Sequence, residues 1–207
     1  MIPFHRSLSR SLQGALLAVA VLGGPALAEP QIGQPAPAFS VTDTQGKTWT
    51  LEDLAGQAAV LEWTNHDCPY VRKHYGAGNM QALQREATRQ EVLWLSVISS
   101  APGKQGHVAA AEADALTQAR GAAPTAVLLD ESGVMGRAYA ARTTPHLYLI
   151  AADGTLAYMG GIDDRPTSDP ADIPAAKSYI RAALADLASG RPVTEAVTRP
   201  YGCSVKY

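Results

Sequence analysis

Unbroken apolar runs alternate with amphipathic stretches along this chain. "AAVLEW" at 58–63, "VLWLSVIS" at 92–99 and "TAVLLD" from Thr125 contain few polar positions. Runs of that length and texture are expected of strands buried on both faces. "TTPHLYLIAADGTLAYMGGI" reads as a hairpin, with strands near 146–151 and 155–160 joined around "ADGT". Between these runs the pattern turns helical. Tyr70 to about Gln90 carries good helix formers in "MQALQREATRQ", and "HVAAAEADALTQARG" is an alanine-rich helix closed by Gly121. "ESGVMGRAYAA" predicts a short helix. "DIPAAKSYIRAALADLASG" predicts a longer one, with Ile180, Leu184 and Leu187 at helical spacing and Gly190 at its end. Upstream, "FSVTDTQGKTWTL" reads as two short strands around "DTQG", and "LEDLAG" as one helical turn ending at Gly56. The alternation predicts one α/β domain: a central mixed β-sheet flanked by helices, with an N-terminal β-hairpin extension.

The first 28 residues stand apart from this pattern. Arg6 and Arg10 precede an apolar run from about Leu12 to Leu22, and "ALA" at 26–28 offers small residues for cleavage. That is the layout of a secretory signal peptide, and the run is short for a membrane span. The expected division is 1–28 signal peptide, 29–190 folded domain and 191–207 a tail rich in turn formers. The expected destination is across the inner membrane, in a periplasm. Removing Arg6 and Arg10 leaves 15 basic residues against 19 acidic ones. With no basic stripe, nucleic acid is not an expected partner, and nothing after residue 28 is apolar enough to hold a bilayer.

Both cysteines, Cys68 and Cys203, fall in the exported part, where disulfides persist. Cys68 closes a strand and opens a helix in "NHDCPYVRKHY". The unpaired N–H groups of a helix start stabilise a thiolate, and Arg72 and Lys73 add positive charge. Pro69 suits the first helical position. Cys68 is therefore a candidate nucleophile, to be weighed against a buried cysteine packing as a small hydrophobe.

"VLEWTNHDCPYVR" resembles the active-site strand, turn and helix of thioredoxin-fold proteins. Cys68 falls on their attacking cysteine, and Val71 stands where a resolving cysteine would be. "TTPHLYLI" resembles their second hallmark, a Thr-Pro whose cis proline faces the sulfur, which carries over to Thr144 and Pro145. "IGQPAPAFSVTDTQGKTWTLEDLAG" resembles the start of the redoxin branch, which includes the alkyl hydroperoxide reductase and thiol-specific antioxidant proteins. The likeness runs from about residue 32 to 190, and with "GCSVKY" it is nearest to a peroxiredoxin-like subgroup of exported redoxins. It implies a thioredoxin-like fold and thiol redox chemistry with a thiol or disulfide protein as electron donor or substrate, or a hydroperoxide as substrate. No dissociable cofactor is implied.

The chain also departs from that pattern. Val71 rules out a local disulfide. Asn65 stands where peroxiredoxins carry Thr or Ser, and their arginine near Pro145 has no counterpart closer than Arg142. A lone attacking thiol needs a second thiol to release it, and Cys203 is the only candidate. The same pair, 135 positions apart, would serve equally as a structural staple, stabilising by about 4 to 5 kcal/mol in the chain-entropy model. The competing function is thus a binding module of this fold with a static Cys68–Cys203 bridge or a metal held by His66, Cys68, His74 and Cys203; no CxxC or HxxxH pair supports the metal.

Four residues are expected to support Cys68: Asn65 and His66 in its turn, Arg72 by charge, and Glu62 from within the apolar strand. A buried Glu62 would relay protons; the alternative is a pair with Lys73. Thr64 is a further substitute donor, and Trp63 is expected in the core. His146 belongs either to the site or to strand packing. Asp163 and Asp164 in "GGIDD" are read as a solvated acidic loop.

Overall fold

The computed structural model describes Met1 and residues 29–207, so the expected signal peptide lies almost wholly outside the described residues. The first elements form the predicted hairpin, β1 (Ser40–Thr42) and β2 (Thr48–Thr50), paired antiparallel. Asp43 builds its turn: the backbone N–H groups of Gln45 and Lys47 and the Trp49 indole N–H all donate to its carboxylate. The turn at "LEDLAG" is a 3-10 helix, Glu52–Leu54.

The central sheet comprises β3 (Ala59–Trp63), β4 (Leu93–Ile98), β5 (Ala126–Leu129), β7 (His146–Ile150) and β8 (Leu156–Gly160), in the order β5-β4-β3-β7-β8. β6 (Thr143–Thr144) lies apart from it, just before β7. β3, β4 and β5 run parallel, whereas β7 pairs antiparallel with β3 and β8 completes the hairpin. All five residues of β3 are buried, which is why no polar alternation marks that run.

Helices cover the sheet. They are α1 (Pro69–Gly76), α2 (Asn79–Arg89), α3 (Ala110–Ala119), α4 (Val134–Ala138) and α5 (Tyr179–Ala188). One face of the sheet packs Leu61, Trp63, Leu95 and Tyr148 against Trp49 of the hairpin and Tyr139. The other packs Val60, Trp94 and Leu149 against Val71, Leu83 and Ile180 from α1, α2 and α5, and Cys68 belongs to this second core.

Two helices differ from expectation. The stretch from Tyr70 to Gln90 is two helices, because Gly78 takes φ +73° between them and breaks the backbone ladder. The last helix starts late. Pro170–Ala175 forms a separate 3-10 turn, and Ser178 caps α5 by accepting the Arg181 N–H. The tail departs most. It is not a loose arm: Cys203–Ser204 forms β9, antiparallel to β6.

Candidate redox site

The site begins where β3 ends. Cys68 occupies the N-cap of α1, and its carbonyl accepts the first helical bond from the Arg72 N–H at 2.9 Å. A tight turn delivers it there, with the Cys68 N–H donating to the Asn65 carbonyl at 3.1 Å. The Asn65 side chain holds the turn from both sides. Its Oδ1 accepts the Asp67 N–H at 2.9 Å, and its Nδ2 donates to the Gln105 carbonyl at 3.3 Å. Its polar atoms are thus spent on the loop. Thr64 Oγ1, also buried, has no hydrogen-bond partner and does not reach the sulfur.

The peptide between Thr144 and Pro145 is cis. It follows β6, so the Thr144 carbonyl turns toward α1 and accepts the Cys68 S–H at 3.1 Å. On the other edge of β6 lies Cys203, in register with Thr144. The Cys203 N–H points at Cys68 Sγ at 3.4 Å. Gly202, at φ +134°, allows this approach: a Cβ there would stand 2.0 Å from the Thr144 carbonyl oxygen. Both cysteines are free thiols, Cys68 buried and Cys203 partly exposed.

The two thiols are electrostatically unequal. Burial pushes the Cys68 thiol up, but the Cys203 thiol, the N–H groups of Val71 and Cys203, and Thr144 together hold it below its ordinary value. Cys203 moves the other way. Burial, donation to Cys68 and repulsion from its charge push it up to about 11, against weaker pulls from Lys206 and Arg72. The negative charge of the pair therefore belongs on Cys68, with Cys203 keeping the proton. Exposed Arg72 bears on this couple from the Cys203 side.

Glu62 is fully buried on β3 and satisfied by side chains. Tyr75 Oη donates at 2.8 Å, Trp94 Nε1 at 2.8 Å, Ser96 Oγ at 3.1 Å and Gln84 Nε2 at 3.3 Å. Burial still raises its pKa. Lys73 is not its partner; its Nζ donates to the Arg165 carbonyl at 2.9 Å. His66 lies beside the site, half-buried, with Nε2 3.5 Å from Asp67 Oδ1. Trp63 is core, donating to Ser99. His146 packs in β7, where its Nδ1 accepts the Arg142 N–H, and Arg142 itself reaches Glu29. Among the described residues no group of three or more His, Cys, Asp and Glu is arranged to hold a metal ion.

Sequence reasoning missed Tyr201 and gave its two partners, Asp163 and His74, other roles. Asp163 is buried rather than solvated, and it accepts the Tyr201 hydroxyl at 2.5 Å. His74, fully buried on α1, lies 3.2 Å from the same hydroxyl. A tyrosine two residues before the second cysteine was the available signal.

The architecture recurs in solved structures. An uncharacterised conserved protein of Geobacillus kaustophilus is 28% identical, with a TM-score of 0.73, over 90% of this chain and 98% of its own. A hypothetical protein of Sinorhizobium meliloti 1021 is 22% identical, with a TM-score of 0.72, over 87% of this chain and 96% of its own. The thioredoxin domain of a thiol-disulfide oxidoreductase from Bacteroides vulgatus shares the fold at 15% identity and a TM-score of 0.50, over 70% and 96%. No curated protein matches the chain. Residues 32–159, from the hairpin's lead-in through the cysteine turn and the cis proline to the last strand of the sheet, match the AhpC/TSA family model, and the chain belongs to that family.

Proposed function

We propose that the mature protein is an exported thiol-disulfide oxidoreductase in which Cys68 attacks and Cys203 resolves. One observation carries this reading: β9 sets Cys203 opposite Thr144, with its N–H 3.4 Å from Cys68 Sγ. The lower-pKa sulfur sits at the helix start, as a nucleophile and leaving group requires. In the reaction Cys68 thiolate attacks a substrate disulfide and forms a mixed disulfide, releasing one substrate thiolate. Cys203 then attacks Cys68 Sγ, losing its proton and releasing the second thiolate. The substrate gains two electrons and the cysteine pair loses them. A partner dithiol returns them. Glu62, with its raised pKa, is the internal group offered to take up or return a proton.

Exchange is favoured over peroxide reduction by the donors around the sulfur. The Asn65 side chain is committed to Asp67 and Gln105, the Thr64 hydroxyl has no hydrogen bond to the sulfur, and Arg142 reaches outward to Glu29. A peroxidase needs hydrogen bonds on the departing oxygen. The full burial of Cys68 under the tail nevertheless suits a small oxidant, so hydroperoxide is the second reading. Cys68 would then become a sulfenic acid and Cys203 would close the disulfide with loss of water.

The test is reaction of the reduced mature protein with an aromatic disulfide, followed by mass spectrometry. Wild type should end as an intramolecular disulfide, Cys203→Ser as a mixed disulfide on Cys68, and Cys68→Ser should be slow. Equal reactivity of Cys68→Ser and wild type sinks the proposal. Stopped-flow oxidation by hydrogen peroxide no faster than that of free thiolate removes the second reading.

A further inference from the structure

The polar cluster behind the tail has no part in the exchange steps, yet it sits beside the resolving cysteine. Tyr201 is at its centre. Its hydroxyl donates to Asp163 Oδ1 at 2.5 Å and lies 3.2 Å from His74 Nε2. Asn79 Nδ2 lies 2.9 Å from His74 Nδ1. One proton arrangement satisfies all of these groups: Asn79 donates to Nδ1, Nε2–H donates to Tyr201, and Tyr201 donates to Asp163. Asp163 Oδ1 also accepts the Arg165 N–H at 2.9 Å, and Lys73 anchors that loop through the Arg165 carbonyl. The tyrosine ring is held as well. Tyr70 meets it edge-on at 5.8 Å between centroids, and the Lys73 ammonium lies 5.8 Å from its centroid.

Tyr70, Lys73 and His74 stand at i, i+3 and i+4 of α1, so they share one flank of that helix. The same helix carries Cys68 at its N-cap. Only Gly202 separates Tyr201 from Cys203, and Gly202 is pressed onto the Thr144 carbonyl. The position of each sulfur is therefore referred to a single short helix. Fixing a second reactant in this way raises its effective concentration at the first.

We propose that Tyr201 is a positioning residue for Cys203, and that the grip of His74, Asp163 and Tyr70 on it sets how readily the Cys68–Cys203 disulfide closes. The role rests on the exchange reading above. In the closing step Cys203 Sγ loses its proton and attacks Cys68 Sγ. The Cys68–substrate S–S bond breaks and the Cys68–Cys203 bond forms. Tyr201 takes no part in that electron transfer; it lowers the freedom of the attacking sulfur.

The test equilibrates the full mature chain with glutathione buffers and reads each species by mass. For Tyr201→Phe, which keeps the ring and removes the hydroxyl, the equilibrium constant for the intramolecular disulfide should fall about tenfold, the scale of one lost buried hydrogen bond. The glutathione adduct on Cys68, fleeting in wild type, should accumulate. A merely structural residue would lower the thermal midpoint of the reduced protein without enriching that adduct. Tyr70→Ala removes a packed ring but no buried polar partner, and should move the equilibrium the same way by about threefold; it carries the test if Tyr201→Phe does not fold. An unchanged constant with no adduct in either variant overturns the positioning role while leaving the exchange reading intact. A wild type that forms no Cys68–Cys203 disulfide in any buffer overturns both.

Discussion

Gly202 lies so close to the Thr144 carbonyl that a Cβ on it would come within 2.0 Å of the oxygen. That oxygen also accepts the Cys68 S–H. The backbone that docks the tail is thus the backbone that holds the thiol. Gly202→Ala should push β9 off β6. A clash at a left-handed position costs on the order of 1–3 kcal/mol, so alkylation of buried Cys68 should speed up by about tenfold. Peptide mapping after timed alkylation measures it; an unchanged rate would mean the tail does not guard the sulfur.

The thiols should titrate far apart. Cys68 should ionise below the ordinary 9.0, and Cys203 near 11. Cys203→Ala removes the thiol that helps hold the Cys68 pKa down, so the Cys68 pKa should rise. Ultraviolet thiolate absorbance against pH gives both values. A Cys68 pKa that stays put or falls in the variant means that the Cys203 thiol does not stabilise the Cys68 thiolate.

Two buried histidines predict acid sensitivity. Burial lowers His146 to about 3 and His74 to about 4, from an ordinary 6.5. Folding favours their neutral forms, so their stabilisation is present above pH 6.5 and is lost as pH falls through those values. Each contributes a slope of up to about 1.4 kcal/mol per pH unit in that window. Denaturant titrations between pH 6.5 and 4 should show a shallower slope for His146→Gln than for wild type. Parallel curves would place the proton elsewhere.

Glu62→Ala should be costly, because it strands donors on Tyr75, Trp94 and Ser96 in the core. About 2–4 kcal/mol of stability should be lost at pH 5. The raised pKa of Glu62 means that its own contribution is full below the ordinary 4.5 and fades as pH rises through the folded value. The deficit should therefore narrow toward alkaline pH. Urea unfolding decides the matter, and a loss below about 0.5 kcal/mol would show those donors to be satisfied otherwise.

The sheet was legible because runs such as "AAVLEW" and "VLWLSVIS" have no solvent-facing register to offer. Cys68 was legible through local grammar, a strand, a turn and Pro at the first helical position, whereas the cis Thr144–Pro145 bond was legible only through the resemblance of "TTPHLYLI" to the thioredoxin-fold Thr-Pro. What was hidden depends on distant partners. Asn65 read as a spare donor because nothing local reveals Gln105, 40 positions on, accepting its amide. Asp163 read as solvated because its partner Tyr201 lies 38 positions away. Gly78 sits in a helix-rich stretch, and only its φ of +73° shows where the chain turns. The tail, full of turn formers, gave no period at all; it is ordered by what it lies on.

The two cysteines come together across 135 positions of sequence, and the later one arrives on a strand of two residues. Until β9 pairs with β6, the Cys203 backbone does not lie over Cys68. In a folding chain Cys68 is therefore uncovered until residue 203 has docked. Oxidant applied to refolding protein should yield crosslinked dimers, whereas the same oxidant applied after refolding should yield monomers: the order of events, rather than the thiols alone, decides what Cys68 joins.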